Sequence, residues 1–189
     1  MAAALISLSP YRDRFNDLED CFAQTGDQPG SIAIFSKGRQ YRYFLKRKTG
    51  IPGIKAIAWL MLNPSTADAF KLDPTVTRCL YRSRHHQMTD MAIINLFAMR
   101  SPYPKDLFTV DDPIGPGNDW FISQVNSSHV KVVCAWGGTK GAAERAKHVL
   151  ALIDPAKPLY CLGVTKDGQP VHPLHIAYEQ DLIPFDRPV

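Results

Sequence analysis

The stretch IKAIAWLMLNPSTADA, residues 54–69, contains a hydrophobic run that stops abruptly at a cluster of polar side chains. The run, residues 54–62, has the length and aliphatic composition of a strand that is buried on both faces. In an open α/β sheet, ligands bind beyond the carboxyl ends of the strands. The stretch therefore predicts a buried strand whose end contributes to a binding site. An amide, a proline and two hydroxyls stand at that end, as Asn63, Pro64, Ser65 and Thr66.

Three further hydrophobic segments follow at spacings that suit α/β units: MAIINLF (91–97), HVKVVCAW (129–136) and PLYCLGV (158–164). Helical patterns lie between them. One helix is predicted to begin with Asp73 as its N-cap and Pro74 at its first helical position. Others are predicted near Asn118 and over about 139–153. Strands that alternate with helices predict a mostly parallel sheet with helices on both faces.

The segment before the first run has a different pattern. Residues 10–25 predict a short amphipathic helix, and the alternating segments at 31–35 and 40–48 predict a β-hairpin. We therefore expect one domain over residues 1–189, with the helix and hairpin at about 10–50 and the α/β core at about 54–180.

The composition is that of an ordinary soluble protein, with 45% hydrophobic and 21% charged residues and a formal net charge of +4. No run approaches the roughly 18 apolar residues of a membrane span, and the N-terminus lacks the basic region of a signal peptide. The four cysteines are scattered without a C-x-x-C pair. These features predict a cytoplasmic protein without a structural zinc site.

Each predicted strand of the core leads into residues that are suited to binding: Asn63, Asn95, Trp136 and His172. Asn95 lies inside an apolar strand, where a buried amide must find partners or cost about 1–3 kcal/mol. Its donor and acceptor lie side by side, as needed to read the edge of a nucleobase. A core amide that bonds to a nearby loop is the alternative. For Asn63 the alternative is a simple turn, and for His172 it is an exposed loop position.

A basic segment, residues 37–48, contains six basic residues, three aromatic residues and no acidic ones. Such a segment is typical of nucleic-acid binding, although charges that protect an exposed hairpin edge give the same pattern. Three arginines of the helix after Asp73, Arg78, Arg82 and Arg84, belong to the same predicted surface, and the turn GGTKG (137–141) suits a phosphate. The candidate nucleic-acid-binding residues are Arg39, Arg42, Lys46, Arg47, Arg78, Arg82, Thr139 and Lys140.

The strings LNPSTAD, DPT, NLFA, AWG and HPL, in this order, resemble a bacterial and phage family of unknown function. More distantly they are similar to the uracil-DNA glycosylase superfamily, an α/β sandwich around a four-stranded parallel sheet. That resemblance implies that Asn63 positions the attacking water, that Asn95 reads a flipped base and that His172 stabilises the departing base anion. Trp136 matches a tryptophan after the third strand. Leu174 stands where the superfamily has a serine.

These observations predict a nucleobase-directed N-glycosidic hydrolase that acts on an unusual or modified base in DNA or in a nucleotide. Pro64, Ser65 and Phe97 are candidates for contacts with the base, with Phe70 as a second aromatic candidate. The chemistry requires neither metal nor cofactor, and no membrane or obligate protein partner is expected. The alternatives are a recognition module without catalysis, a scaffold that binds no nucleotide, and a metal-dependent phosphoesterase built on Asp68, Asp73 and His85.

Overall fold

The computed structural model describes residues 21–128 and 131–187. Within them one sheet of eight strands runs in the order β1-β2-β3-β5-β4-β6-β7-β8. The strands are β1 (Cys21–Thr25), β2 (Ile32–Ser36), β3 (Arg42–Lys48), β4 (Ala56–Met61), β5 (Asp90–Asn95), β6 (Lys131–Cys134), β7 (Leu159–Cys161) and β8 (Ile183–Pro184).

The four predicted core strands are confirmed as β4 to β7, which pair in parallel in the order β5-β4-β6-β7. The predicted hairpin is confirmed as β2 and β3. The expected size of the sheet is corrected from four strands to eight. The sheet is larger because β3 adds antiparallel to β5, and β8 adds antiparallel to β7.

The prediction of a helix over residues 10–25 is wrong at its C-terminal end. Residues 21–25 form β1, which pairs antiparallel with β2, while residues 10–20 lie outside the described residues. Phe22 stands opposite Phe35 and stacks on it with ring centroids 5.7 Å apart. Pairing with a neighbouring strand therefore overrides the helical pattern of the isolated segment.

The helices that cover the sheet are α1 (Pro74–His85), α2 (Asn118–Ser123), α3 (Val125–Ser128) and α4 (Ala142–Ala151). Asp73 is the N-cap of α1, as predicted, and accepts a hydrogen bond from Val76 N at 2.8 Å. Short 3-10 helices occupy Pro104–Phe108 and Pro173–His175. No helix in the described part of the chain is long and apolar enough to cross a membrane.

The parallel strands are buried on both faces, so the core has two layers. On one face, the α1 face, α1 contributes Val76, Cys79 and Leu80 to a cluster with Ile57, Trp59, Met91 and Ile93. On the other, the α4 face, α2 and α4 pack against the alternate residues, with Ile122, Ala146 and Val149 meeting Ala58, Leu60, Ala92 and Ile94. This alternation places Asn95 on the α1 face, two residues after Ile93.

A β-bulge in β3 changes the side on which one arginine lies. Ile34 pairs with Phe44, but Phe35 pairs with Arg42, so Tyr43 is the extra residue. Cross-strand partners share a face of a sheet, and Phe35 belongs to the cluster of the α1 face. The bulge therefore brings Arg42 to the same face as Asn95, an effect that bulges often have near functional sites.

Candidate functional site

A cavity of about 740 Å³ lies at the carboxyl ends of the parallel strands, on the α1 face. The loops after β4, β6 and β7, the end of β5 and the first turn of α1 all contribute to its wall. The structure thus brings together four residues that the sequence predicted to converge, which are Asn63, Asn95, Trp136 and His172. Ser65 and Thr139, also candidates, lie in the same wall.

Asn95 provides a buried amide at the cavity. The residue is only 1% exposed, and neither its Oδ1 nor its Nδ2 has a hydrogen-bond partner among the described residues. The alternative of a core amide that is satisfied by a nearby loop is therefore wrong. A buried polar group without a partner costs about 1–3 kcal/mol, so this side chain favours the binding of a water or a ligand that bonds to it.

Asn63 is held in one orientation by two backbone carbonyls. Its Nδ2 donates to Ser101 O at 2.8 Å and to Pro64 O at 3.1 Å. Both amide hydrogens are used by these bonds, which also settles which end of the amide is nitrogen. Because Asn63 lines the cavity, its Oδ1 is the atom that remains to accept a hydrogen bond there.

His172 is a neutral imidazole. Burial, and secondly the nearby His175, lower the pKa of His172 to about 4. Its Nδ1 accepts a hydrogen bond from Leu174 N at 3.3 Å, so the proton of the neutral ring is on Nε2. Gly137 allows the close packing here, because it has a φ of +80° and a Cβ on it would lie 3.4 Å from His172 Cβ. The ring is therefore a hydrogen-bond donor through Nε2.

Arg42 is a buried cation in the wall of the cavity. It is 2% exposed, its Nη1 donates to Ala67 O at 2.8 Å, and its Nε has no partner among the described residues. Burial lowers the pKa of Arg42 to about 10, with opposing effects of nearby charges, so it is still charged at neutral pH. The sequence placed Arg42 in an exposed basic surface because hydropathy patterns do not reveal the bulge.

Asp73 and Trp136 also line the cavity, and each has a structural partner. Asp73 caps α1, as the sequence favoured. Trp136 is 2% exposed, and its ring packs in the core of the α4 face, 5.8 Å from the ring of Phe185. Its Nε1 donates to Gln169 Oε1 at 2.9 Å.

The other candidates for base contacts lie elsewhere. Phe97 is buried in the core of the α4 face, with its ring centroid 6.2 Å from that of Phe108. Pro64 is buried and lies outside the cavity wall, and Phe70 is exposed outside it. Among the described Phe, Tyr and Trp residues, Trp136 is the one that lines the cavity. The sequence did not separate these residues because each stands beside a strand end.

Two predicted nucleic-acid-binding arginines besides Arg42 are buried, which corrects the expectation that they form an exposed basic surface. The guanidinium of Arg47 donates to the backbone carbonyls of Lys46, Asp68 and Lys71. Arg82 donates to Ile176 O at 3.1 Å and Ala177 O at 2.6 Å. Both hold loops against the sheet, since a buried guanidinium needs acceptors.

The remaining basic candidates are at least partly exposed. Arg78 donates to Ile176 O at 2.7 Å and lies over the ring of Tyr178. Arg39 lies over the ring of Phe35, and Lys46 forms an ion pair with Asp90 at 2.9 Å. Lys140 is exposed in the turn before α4. These side chains are distributed over different parts of the surface.

The residues of the phosphoesterase alternative do not meet. Asp68 Oδ1 accepts from the backbone of Phe70 and Lys71 at 2.8 and 2.9 Å, and His85 contacts Asp181 at 3.6 Å. Within residues 21–128 and 131–187, no three His, Cys, Asp or Glu side chains form a group that could hold a metal ion.

The comparisons with known proteins give one family. A family model described as Protein of unknown function (DUF1643) matches residues 42–174, from Arg42 to Leu174. The match covers more than half of the chain and includes Asn63, Asn95 and His172. No curated protein and no solved structure matches.

Proposed function

The chain belongs to the DUF1643 family of proteins of unknown function, and from the geometry of its cavity we propose that it is a nucleobase-directed N-glycosidic hydrolase. The observation that carries the proposal is the amide of Asn95, which is buried at the cavity with its donor and its acceptor both unpartnered. A nucleobase edge presents an acceptor and a donor side by side, so it satisfies both atoms at once.

His172 and Asn63 supply the other two functions that this reaction needs. When the C–N bond to the base breaks, its electron pair leaves with the base, and the neutral His172 donates from Nε2 to the negative charge that develops there. Asn63 Oδ1 accepts a hydrogen bond from a water, whose oxygen forms the new bond to the sugar carbon. The proton that the water releases is taken up by the departing base through solvent.

The size of the cavity and the order of the motifs support a nucleotide-sized substrate. A volume of about 740 Å³ falls within the roughly 300–1,000 Å³ of small-molecule sites. A base in a duplex must leave the stack before it can enter such a cavity. The order of LNPS, NLF, AWG and HPL along the chain resembles that of the uracil-DNA glycosylase superfamily, and this resemblance favours an unusual or modified base.

A recognition module without catalysis is the second candidate, and the environment of Asn63 favours it. A carboxylate at this position would activate water as a base, but it would also face the carbonyls of Pro64 and Ser101, which now accept from Nδ2. The loop is therefore built for an amide, which orients a water without taking its proton. In this case the cavity binds the base and releases nothing.

The test is base release from a panel of oligonucleotides and nucleotides that carry uracil, hydroxymethyluracil, hypoxanthine or alkylated bases, with chelator present. Alkali then reveals abasic sites in the oligonucleotides, and chromatography detects free base from the nucleotides. We expect release of one base, with Asn63→Ala and His172→Ala slowing it by about 10²–10³-fold. His85→Ala is the control, because His85 is exposed and lies outside the cavity wall.

Two results would contradict hydrolysis at this site. Tight binding of one base without release would support the recognition module. Release that is unchanged in Asn63→Ala and His172→Ala would place the reaction elsewhere.

A further inference from the structure

The charge of Arg42 has no counter-ion in the described part of the chain. Asp73 and Asp68 lie near enough to favour its charged form, but the ion pair of Asp68 is with Arg39 at 3.9 Å, and Asp73 caps α1. A buried guanidinium needs a carboxylate or several other acceptors, because an unsatisfied charge away from water is costly.

The neighbouring arginine on the same strand shows what a structural role looks like. Arg47 is 3% exposed, and its two terminal nitrogens donate to three backbone carbonyls. Arg42 has one such bond, to Ala67 O, and a buried Nε without a partner. Arg42 lines the cavity and Arg47 does not. The bulge at Tyr43 thus places a cation with unused donors at the cavity.

The start of α1 forms another part of this wall. Asp73, Pro74, Thr75 and Val76 line the cavity, so the positive end of the helix dipole faces it. Asp73 already caps this helix end, so the free donors of the planar Arg42 guanidinium are the groups of the wall that suit an oxyanion such as phosphate.

We propose that Arg42 binds the phosphate of a nucleotide whose base is bound by Asn95, so that the cavity takes a nucleotide rather than a free base or a nucleoside. This inference rests on the base-recognising role proposed for the cavity. The phosphate belongs either to a free mononucleotide or to a residue of a nucleic-acid strand, and both present the same chemistry to Arg42.

The test compares affinities within matched pairs of ligands. Calorimetry at constant ionic strength measures binding of the deoxynucleosides, their 5′-monophosphates and short single-stranded oligonucleotides, including the uracil and hydroxymethyluracil forms. We expect at least one phosphate-bearing ligand to bind about tenfold or more tightly than its nucleoside. The free monophosphate and the oligonucleotide are separate arms, and the one that binds identifies the source of the phosphate.

Three variants test whether Arg42 causes the tighter binding of a phosphate-bearing ligand relative to its nucleoside, which we call the advantage. Arg42→Gln keeps a donor for Ala67 O but removes the charge, and it should abolish the advantage. Arg42→Lys keeps the charge and should retain part of it, which also guards against a folding defect in Arg42→Gln. Lys55→Met removes an exposed cation that lies outside the cavity wall, and it should leave the advantage unchanged.

Equal binding of nucleoside and nucleotide would overturn the inference, and so would an advantage that survives in Arg42→Gln. Absence of binding by every phosphate-bearing ligand would overturn it as well. An Arg42-dependent advantage without any base release would leave the inference standing while the proposed hydrolysis fails. The two proposals therefore have distinguishable failures.

Discussion

Two buried arginines on opposite faces of the sheet, Arg145 and Arg42, differ in how their charges are satisfied. On the α4 face, Arg145 is 8% exposed, donates from Nε to Leu96 O at 2.9 Å and forms an ion pair with Asp119. His148 Nε2 contacts the second oxygen of Asp119 at 3.1 Å. On the α1 face, Arg42 is buried as deeply but has neither a carboxylate partner nor a full set of acceptors.

The difference distinguishes polar groups that are satisfied within the protein from polar groups that retain atoms without a protein partner. Desolvation of a charge is offset only when partners replace the lost water. In the Arg145 network, which we define as Arg145, Asp119 and His148, these partners are protein atoms. At the cavity they are incomplete, and Arg42 and Asn95, which both line it, retain buried atoms without a partner among the described residues.

The largest expected effect comes from breaking the Arg145 network. Asp119→Ala leaves the guanidinium of Arg145 buried without its carboxylate. We expect it to lower the free energy of unfolding by about 2–3 kcal/mol, below the full cost of breaking a buried pair because Asp119 is partly exposed. Urea denaturation at an unchanged m-value measures this loss.

The control for Asp119→Ala is Asp111→Ala, since Asp111 is exposed. We expect its free energy of unfolding to stay within about 0.5 kcal/mol of wild type. Equal effects of the two variants would show that the network contributes no stability and would remove the contrast with Arg42.

The second prediction uses pH and concerns the histidine of the cavity. Because the pKa of His172 in the folded state is lowered to about 4, the unfolded state binds a proton first as the pH falls. The stability associated with the neutral ring is therefore present above about pH 6.5 and is lost as the pH falls toward 4. Wild type should lose about 2 kcal/mol more over this range than His172→Gln, measured by denaturant unfolding at each pH.

His85→Gln provides the comparison, because His85 is exposed and outside the cavity wall. This variant shows whether the pH-dependent loss is specific to the histidine of the cavity. Stability curves of wild type and His172→Gln that run parallel from pH 6.5 to 4 would mean that His172 is protonated equally well in the folded and unfolded states. Its role as a neutral donor would then fail.

The sequence predicted the parts of the fold that depend on local pattern. The apolar runs predicted β4 to β7, because strands between two helical layers are hydrophobic on both faces. Asp73 and Pro74 predicted the start of α1. It missed β1 and β8, whose pairing depends on neighbours that are distant in the chain, such as Phe35 for Phe22 and Tyr160 for Pro184.

The site was predictable to the extent that it follows from topology. Asn63, Asn95 and His172 stand at strand ends, and parallel strands bring those ends to one edge. The burial of Arg42, Arg47 and Arg82 was not predictable, because an arginine in an alternating pattern indicates an exposed position. Only contacts with distant carbonyls, as between Arg82 and Ala177, allow a guanidinium to enter the core.

The smallest expected effect concerns two buried amides and should differ in sign between them. Asn118 Nδ2 donates to Asn95 O and to Leu96 O, both at 3.0 Å, whereas the side chain of Asn95 has no partner. Asn118→Leu should therefore lower the free energy of unfolding by about 1–2 kcal/mol. Asn95→Leu, which replaces an unsatisfied amide by an apolar group of similar size, should raise it by about 1 kcal/mol while abolishing ligand binding.

Thermal and urea unfolding of the two variants without ligand decide between a structural and a recognition role for Asn95. A gain in stability together with lost binding is the result expected when a side chain is kept for a ligand at a cost to the fold. A loss of stability in Asn95→Leu similar to that in Asn118→Leu would mean that the amide of Asn95 supports the folded state itself. Asn95 would then resemble the residues of the Arg145 network, and the strongest support for a base-binding cavity would be gone.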